Sequence, residues 1–160
     1  MPFNHFDSAG KAIMVDVSHK QPTMRTATAA AKVLLTPAIV NDIVAGVTAK
    51  GDVLSVARIA GITAAKKTPD LIPLSHPLAI HHVSIDFDID ATVGIIEATA
   101  TVRAFERTGV EMEAMTAAAV TALTIYDMCK GADKGITIGE IKLLFKEGGK
   151  SGVYRREGEI

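Results

Sequence analysis

Asp127 and Lys130 stand three residues apart in the string Tyr126-Asp127-Met128-Cys129-Lys130. On a helix that spacing puts a carboxylate and an ammonium on one face. Such a pair can take up and return a proton, and the ammonium can steady a growing negative charge. The string closes a long apolar run, so Asp127 falls in a last helical turn, where carbonyl ends disfavour negative charge. Lys130 has an ordinary dipole explanation there; Asp127 has none, and a residue that breaks a local rule beside a partner is a functional candidate.

Glu111-Met112-Glu113 opens the same run. The helix dipole alone accounts for acidic residues in a first turn, so from sequence these two weigh less. A third candidate is Leu74-Ser75-His76, bracketed by Pro73 and Pro77. Prolines stiffen the backbone, and a rigid irregular loop can aim His76 at a ligand as a second proton carrier. An ordinary connecting loop with a hydrogen-bonded His explains the stretch about equally well. Arg25, Lys50, Lys66, Lys67, Lys146 and Lys150 could each neutralise phosphate, though singly each suits a solvated surface. Lys50 and the Lys66-Lys67 pair lie at opposite ends of one predicted helix, which cannot gather all three within a chain.

Other site chemistries fit less well. His76, His81 and His82 have no cysteine at metal-ligand spacing, so no zinc site is expected. Gly148-Gly149-Lys150-Ser151-Gly152 looks like the end of a phosphate-binding loop. However, Leu144 occupies the position of that motif's first glycine and no helix is predicted to follow, so the motif is rejected.

The elements that must position these residues follow from periodicity and caps. Residues 24–35 read as a strand, and Thr36-Pro37 caps and starts a helix that Gly46 ends. Asp52 caps a helix over 53–67 that is apolar almost all round and therefore needs cover on more than one side. Residues 80–90 alternate apolar and polar, Ala91-Thr92 turns the chain, and 93–105 completes a hairpin. A loop over 106–109 precedes a helix at 110–129 and a last strand at 136–145. Residues 1–20 read as an N-terminal arm, and 146–160 as a mobile Gly-rich tail. The order β-α-β-β-α-β, with a broken first helical stretch, is the α+β, ferredoxin-like arrangement: one antiparallel sheet with helices on one face.

Composition narrows the class. A chain of 160 residues, 48% hydrophobic and 22% charged, suits one folded domain. Seventeen basic and 18 acidic residues give a net charge of −1, which argues against a nucleic-acid-binding surface. One cysteine excludes an intrachain disulfide and fits a reducing, cytoplasmic setting. No membrane span or signal peptide is expected. With no Trp and five Phe, the core must come from small aliphatic side chains. Such a chain is expected to gain further burial in an oligomer.

Several strings together resemble the molybdenum cofactor biosynthesis protein C family, the cyclic pyranopterin monophosphate synthases. They are Lys50-Gly51-Asp52-Val53, Ala57-Arg58-Ile59-Ala60-Gly61-Ile62, residues 70–77, Thr108-Gly109-Val110-Glu111-Met112-Glu113-Ala114, residues 122–130, and Gly148-Gly149-Lys150-Ser151-Gly152. The resemblance runs in order from about residue 14 to residue 152. It implies a lyase that converts the GTP-derived 3′,8-cyclo-7,8-dihydro-GTP to cyclic pyranopterin monophosphate and releases pyrophosphate, with no metal or organic cofactor. It also implies a homohexamer, a trimer of dimers. Asp127 maps to the family's catalytic aspartate, and Leu74-Ser75-His76 and Met112-Glu113 map to its substrate-binding stretches. Lys130 is expected to partner Asp127. Lys50, Lys66, Lys67, Arg25 and Lys146 are expected to meet the phosphates, with Glu111 beside them. Ser75 stands where many relatives carry Cys, so a thiol nucleophile is not expected there.

Three other readings compare less well. An RNA-binding module on this scaffold would need exposed aromatics on its central strands. A non-catalytic nucleotide- or small-ligand-binding regulatory module need not carry an acid/base pair. A different nucleotide-processing lyase is the third. One geometric expectation is independent of these. Glu113 and Asp127 lie 14 residues apart on one helix, about 21 Å at the α-helical rise. If both serve one site, two chains must share it.

Overall fold

A computed structural model describes residues 5–158. Residues 1–4 of the expected arm and 159–160 of the expected tail lie outside that range. The elements are β1 (Thr23–Leu34), α1 (Pro37–Ala45), α2 (Val53–Lys66), α3 (Thr68–Leu71), β2 (Ile80–Asp90), β3 (Ile95–Glu106), α4 (Glu111–Cys129), β4 (Thr137–Glu147) and β5 (Tyr154–Arg155). The sheet runs β2-β3-β1-β4-β5, and every pairing is antiparallel. Its first four strands form the expected split arrangement, with α2 and α4 packed together on one face.

Local signals set most boundaries. Thr36 accepts from the Ile39 amide, Pro37 occupies the first helical turn, and Gly46 ends α1 at φ 69°. Asp52 caps α2 through Ser55. Beyond the expected helix over 53–67, Pro69 sits in the first turn of a separate short helix, α3, because proline's fixed φ suits that position. β4 runs two residues beyond the expected end. The stretch expected as a tail also carries β5, whose Tyr154 and Arg155 pair with Lys146 and Phe145. Arg155 lies over the Phe145 ring, and Arg156 donates to the Leu143 carbonyl. Both contacts lie far from these residues in local sequence pattern, so alternation could not reveal them.

The strand period of two sorts β1 and β3 into a buried helix-facing row and an opposite row that is less buried as a whole, although Ala30 and Thr26 on it are buried. Ala27, Ala29, Ala31 and Val33 of β1 pair with Val102, Ala100, Ala98 and Ile96 of β3, all fully buried. These short side chains let α4 settle closely through Ala114, Ala117, Ala118, Ala122 and Ile125. Gly61 makes the α2–α4 approach possible: a Cβ there would overlap Thr121 Oγ1 and press on the Ala117 carbonyl. The opposite sides of α2 and α4 stay open, with Ile59 67% and Leu123 56% exposed. The cover that the apolar pattern calls for is therefore not supplied within one chain.

Candidate functional site

The sheet register first brings cations to the start of α4. Arg25 and Ala27 lie two apart on the helix-facing row of β1, and Lys146 of β4 pairs with Ala27. Arg25 and Lys146 therefore rise on the same side at one end of the sheet, beneath the first turn of α4. Arg25 is buried, and its guanidinium donates to the carbonyls of Glu106 (3.1 Å) and Arg107 (3.2 Å). Lys146 Nζ pairs with Glu111 Oε1 at 2.9 Å and donates to Ser151 Oγ at 3.1 Å. Gly149 admits the guanidinium: at φ 70° it has no side chain, and a Cβ would overlap Arg25. Gly148-Gly149-Lys150-Ser151, Arg107, His19 and Lys20 complete a basic hollow of about 770 Å³.

A second hollow, of about 590 Å³, adjoins the first and is lined mainly by apolar groups. Its walls are Ile72–His76 and Leu78 from the proline-bracketed loop, and Met112 and Glu113 from α4. Thr108, Gly109 and Glu111 border both hollows, so they form one divided cleft. At the join, Gly109 leaves room for the Glu111 carboxylate, which a Cβ there would displace. Each half falls in the size range of small-molecule sites.

Glu113 is the unusual group of the apolar half. Its residue is 1% exposed, and neither carboxylate oxygen has a hydrogen-bond partner. Burial, aided by the neighbouring Glu111 charge, pushes its pKa up to about 7. The dipole account of an acidic first turn predicts a solvated carboxylate, and α4 has no side-chain cap that Glu113 could supply. The outward-facing Glu111 fits that account; Glu113 does not. His76 borders the same half, with Nε2 2.7 Å from the Val15 carbonyl.

The far end of α4 holds the other candidates. Lys130 Nζ lies 2.6 Å from Asp127 Oδ1, and Lys50 Nζ donates to the Asp127 backbone carbonyl at 2.8 Å. The hydrogen bond from Lys130, then the Lys130 and Lys50 charges, hold the Asp127 carboxyl below its usual range. These two ammonium groups offset the unfavourable placement of Asp127 at a helix C-terminus. Both acid/base side chains are well exposed. Cys129 is buried beneath them, and burial pushes its thiol pKa up.

The structure thus divides the candidate residues into two groups. Leu74, Ser75, His76, Glu111, Met112, Glu113, Arg25 and Lys146 gather at the cleft. Asp127, Lys130 and Lys50 gather about 21 Å away along α4. Lys66 and Lys67 end α2. Because Gly61 crosses α4 at Ala117 and Thr121 while Lys50 reaches Asp127, α2 runs opposite to α4, and its lysine end points toward the Glu113 end. Neither lysine lines the cleft.

Three contributors were missed from sequence. Thr108 and Gly109 looked like a plain loop. Arg107 carries no sequence signal, and the Gly148–Ser151 turn, rejected as a phosphate-binding loop on its spacing, nonetheless lines the basic half. The arm was given no role, yet His5 lines the apolar half and Val15 holds His76. The β2–β3 register shifts between Ile80 and His82; His81 and His82 are both exposed, and His81 Nδ1 accepts from the Phe105 amide. Among the described residues no three His, Cys, Asp or Glu side chains gather as a metal site. No described helix is long and apolar enough to cross a membrane.

Comparison with known proteins gives a consistent result. The model of the MoaC family matches residues 14–149. A cyclic pyranopterin monophosphate synthase of Geobacter sulfurreducens is 75% identical over 157 residues, covering 98% of each chain. The protein of the same name from Geobacter metallireducens is 73% identical over the same share of both chains. That of Parvibaculum lavamentivorans is 54% identical over 94% of each.

Proposed function

The chain belongs to the MoaC family, and from that membership we propose that it is a cyclic pyranopterin monophosphate synthase, a lyase that converts 3′,8-cyclo-7,8-dihydro-GTP to cyclic pyranopterin monophosphate and releases pyrophosphate. The divided cleft is the observation that carries this reading. Its apolar half, with an unpartnered buried carboxyl, suits the edge of a planar heterocycle rich in N–H donors and acceptors. Its basic half suits a polyphosphate. A near-neutral chain can hold a polyanion when its cations are concentrated in this way.

In this reading Leu74, Ser75, His76, Met112 and Glu113 bind the ring system. Arg25 and Lys146 neutralise the phosphates, with Glu111 holding Lys146 in place; Lys66 and Lys67, which line neither hollow, reach the phosphates of a site completed by another copy. The rearrangement needs protons moved during ring opening and pterin formation, followed by attack of a ribose hydroxyl on the α-phosphate. Asp127, kept ionised by Lys130 and Lys50, acts as base. Lys130 returns the proton, and Lys50 screens the charge that grows on the departing pyrophosphate. His76 carries a second proton. A carboxylate with a lowered pKa is a weak base, so Lys130 must assist the transfer rather than merely orient it.

The separation along α4 excludes one reacting centre that uses both of its ends within a chain. A two-fold dimer in which one copy supplies the cleft and the other supplies Asp127, Lys130 and Lys50 resolves this. The exposed apolar sides of α2 and α4 support such an assembly, and a cytoplasmic homohexamer built from three such dimers is the proposed state. The decisive test is turnover of the cyclised nucleotide, read by pyrophosphate release and by the pterin product, in the parent and in Asp127→Asn. Binding without turnover in the parent would leave a regulatory ligand-binding module as the better reading.

A further inference from the structure

The N-terminal arm reaches the candidate site through a backbone atom. Residues 5–13 form a small hairpin: Phe6 bridges Ala12, Asp7 N donates to the Lys11 carbonyl, and Ile13 N donates to the His5 carbonyl. Asp7 Oδ1 closes its tip by accepting from the Ala9 and Lys11 amides. A second turn follows at once, with Asp16 Oδ1 accepting from Ser18 N and the Val17 carbonyl accepting from Lys20 N. Val15 lies between these two turns, so its peptide is held from both sides. Its carbonyl lies 2.7 Å from His76 Nε2, and His5 of the hairpin lines the same half of the cleft as His76.

A carbonyl oxygen can only accept. In the contact with Val15 the proton must therefore reside on Nε2, and the neutral ring keeps its lone pair on Nδ1. No described group occupies Nδ1. The geometry points to the arm as a positioning element: the Val15 carbonyl fixes His76 as the Nε2–H form, which leaves Nδ1 as the atom that exchanges a proton with substrate. This rests on the assignment of His76 to the site above, and it adds which atom acts and what holds it. Asp7 and Asp16 line neither hollow, and their side chains hydrogen-bond within the arm, which they shape.

Nitrogen-15 spectra of the intact protein test the tautomer directly, with the His76 ring signals assigned by their loss in His76→Gln. The parent should show one Nε2–H form. A chain lacking residues 2–17 should show a mixture of tautomers. An Nδ1–H ring, or a tautomer population unchanged by removal of the arm, overturns the proposal. Two full-length variants give a readout that survives if the shortened chain fails to fold. The amide nitrogen of Gln overlays Nε2 and that of Asn overlays Nδ1. His76→Gln should keep the arm docked, with cleavage at Lys11 by trypsin as slow as in the parent, while turnover falls by about 10²-fold or more. His76→Asn should release the arm and speed that cleavage. Equal cleavage of the two variants refutes the tether, and parent-like turnover in His76→Gln refutes the role of Nδ1. If the parent itself does not turn over the cyclised nucleotide, the functional reading falls; the spectra and the cleavage pattern still decide the tether.

Discussion

Replacing Glu113 with Gln should make the ligand-free protein more stable, and the gain should grow with pH. The side chain is buried, its two oxygens have no partner, and its pKa is pushed from 4.5 to about 7. Above pH 4.5 the unfolded chain releases this proton, whereas the folded chain keeps it until about pH 7. The folded state then binds more protons, so its stability falls as pH rises through that window. A shift of this size corresponds to about 3 kcal/mol once both forms are ionised. Gln keeps the shape and carries no charge, so it avoids the loss. Urea unfolding followed by circular dichroism at pH 4 and pH 8 measures the effect, and differencing the two proteins cancels the titration of all other groups. Stabilities should nearly coincide at pH 4. At pH 8 the variant should lead by about 3 kcal/mol, or roughly 6–12 °C in Tm for a chain of this size. A difference that stays flat from pH 4 to pH 8 would refute the claim that Glu113 is an uncompensated buried acid. With Glu113 in the proposed ring-binding role, the stabilised variant should also lose turnover.

Asp127→Asn should lower kcat by about 10²-fold or more with little change in the unfolding midpoint, because the carboxylate is exposed; near-parent turnover would remove it from the acid/base pair. Pyrophosphate should compete with substrate in steady-state kinetics, and Lys146→Ala should weaken that inhibition, as should Lys67→Ala. An absence of pyrophosphate inhibition in the parent counts against the basic half as a phosphate site. Mixing inactive Glu113→Ala with inactive Asp127→Ala under subunit exchange should restore part of the activity; verified exchange without recovery would sink the shared site. Gly61→Ala should destabilise the protein by about 1–2 kcal/mol in chemical unfolding, since the new methyl overlaps Thr121 by more than the gain in helix propensity offsets. Thr121→Ala in the same chain should recover most of that loss.

Short-range signals carried most of the architecture. Thr36, Asp52 and Gly46 mark helix ends through bonds that span only a few residues, and the alternation of 80–90 places β2 with the bounds it has in the fold. The Asp127–Lys130 pair was legible for the same reason, because three residues on a helix define their own geometry. The family strings of 108–114 and 122–130 were equally local. What only tertiary structure decided depends on contacts distant along the chain. Arg25 and Lys146 meet because β1 and β4 pair in one particular register, and Glu113 is buried at a hollow that the 72–78 loop and the start of α4 form together. His76 finds Val15 across 61 positions, in a stretch that the sequence marks only as a polar arm. The tail's β5 likewise needs the edge of β4 to exist before it can pair. Periodicity and capping reflect energies that neighbouring residues already supply; burial and convergence arise only when separate elements pack, and that packing gives the buried carboxyl, the gathered cations and the tethered imidazole their chemistry.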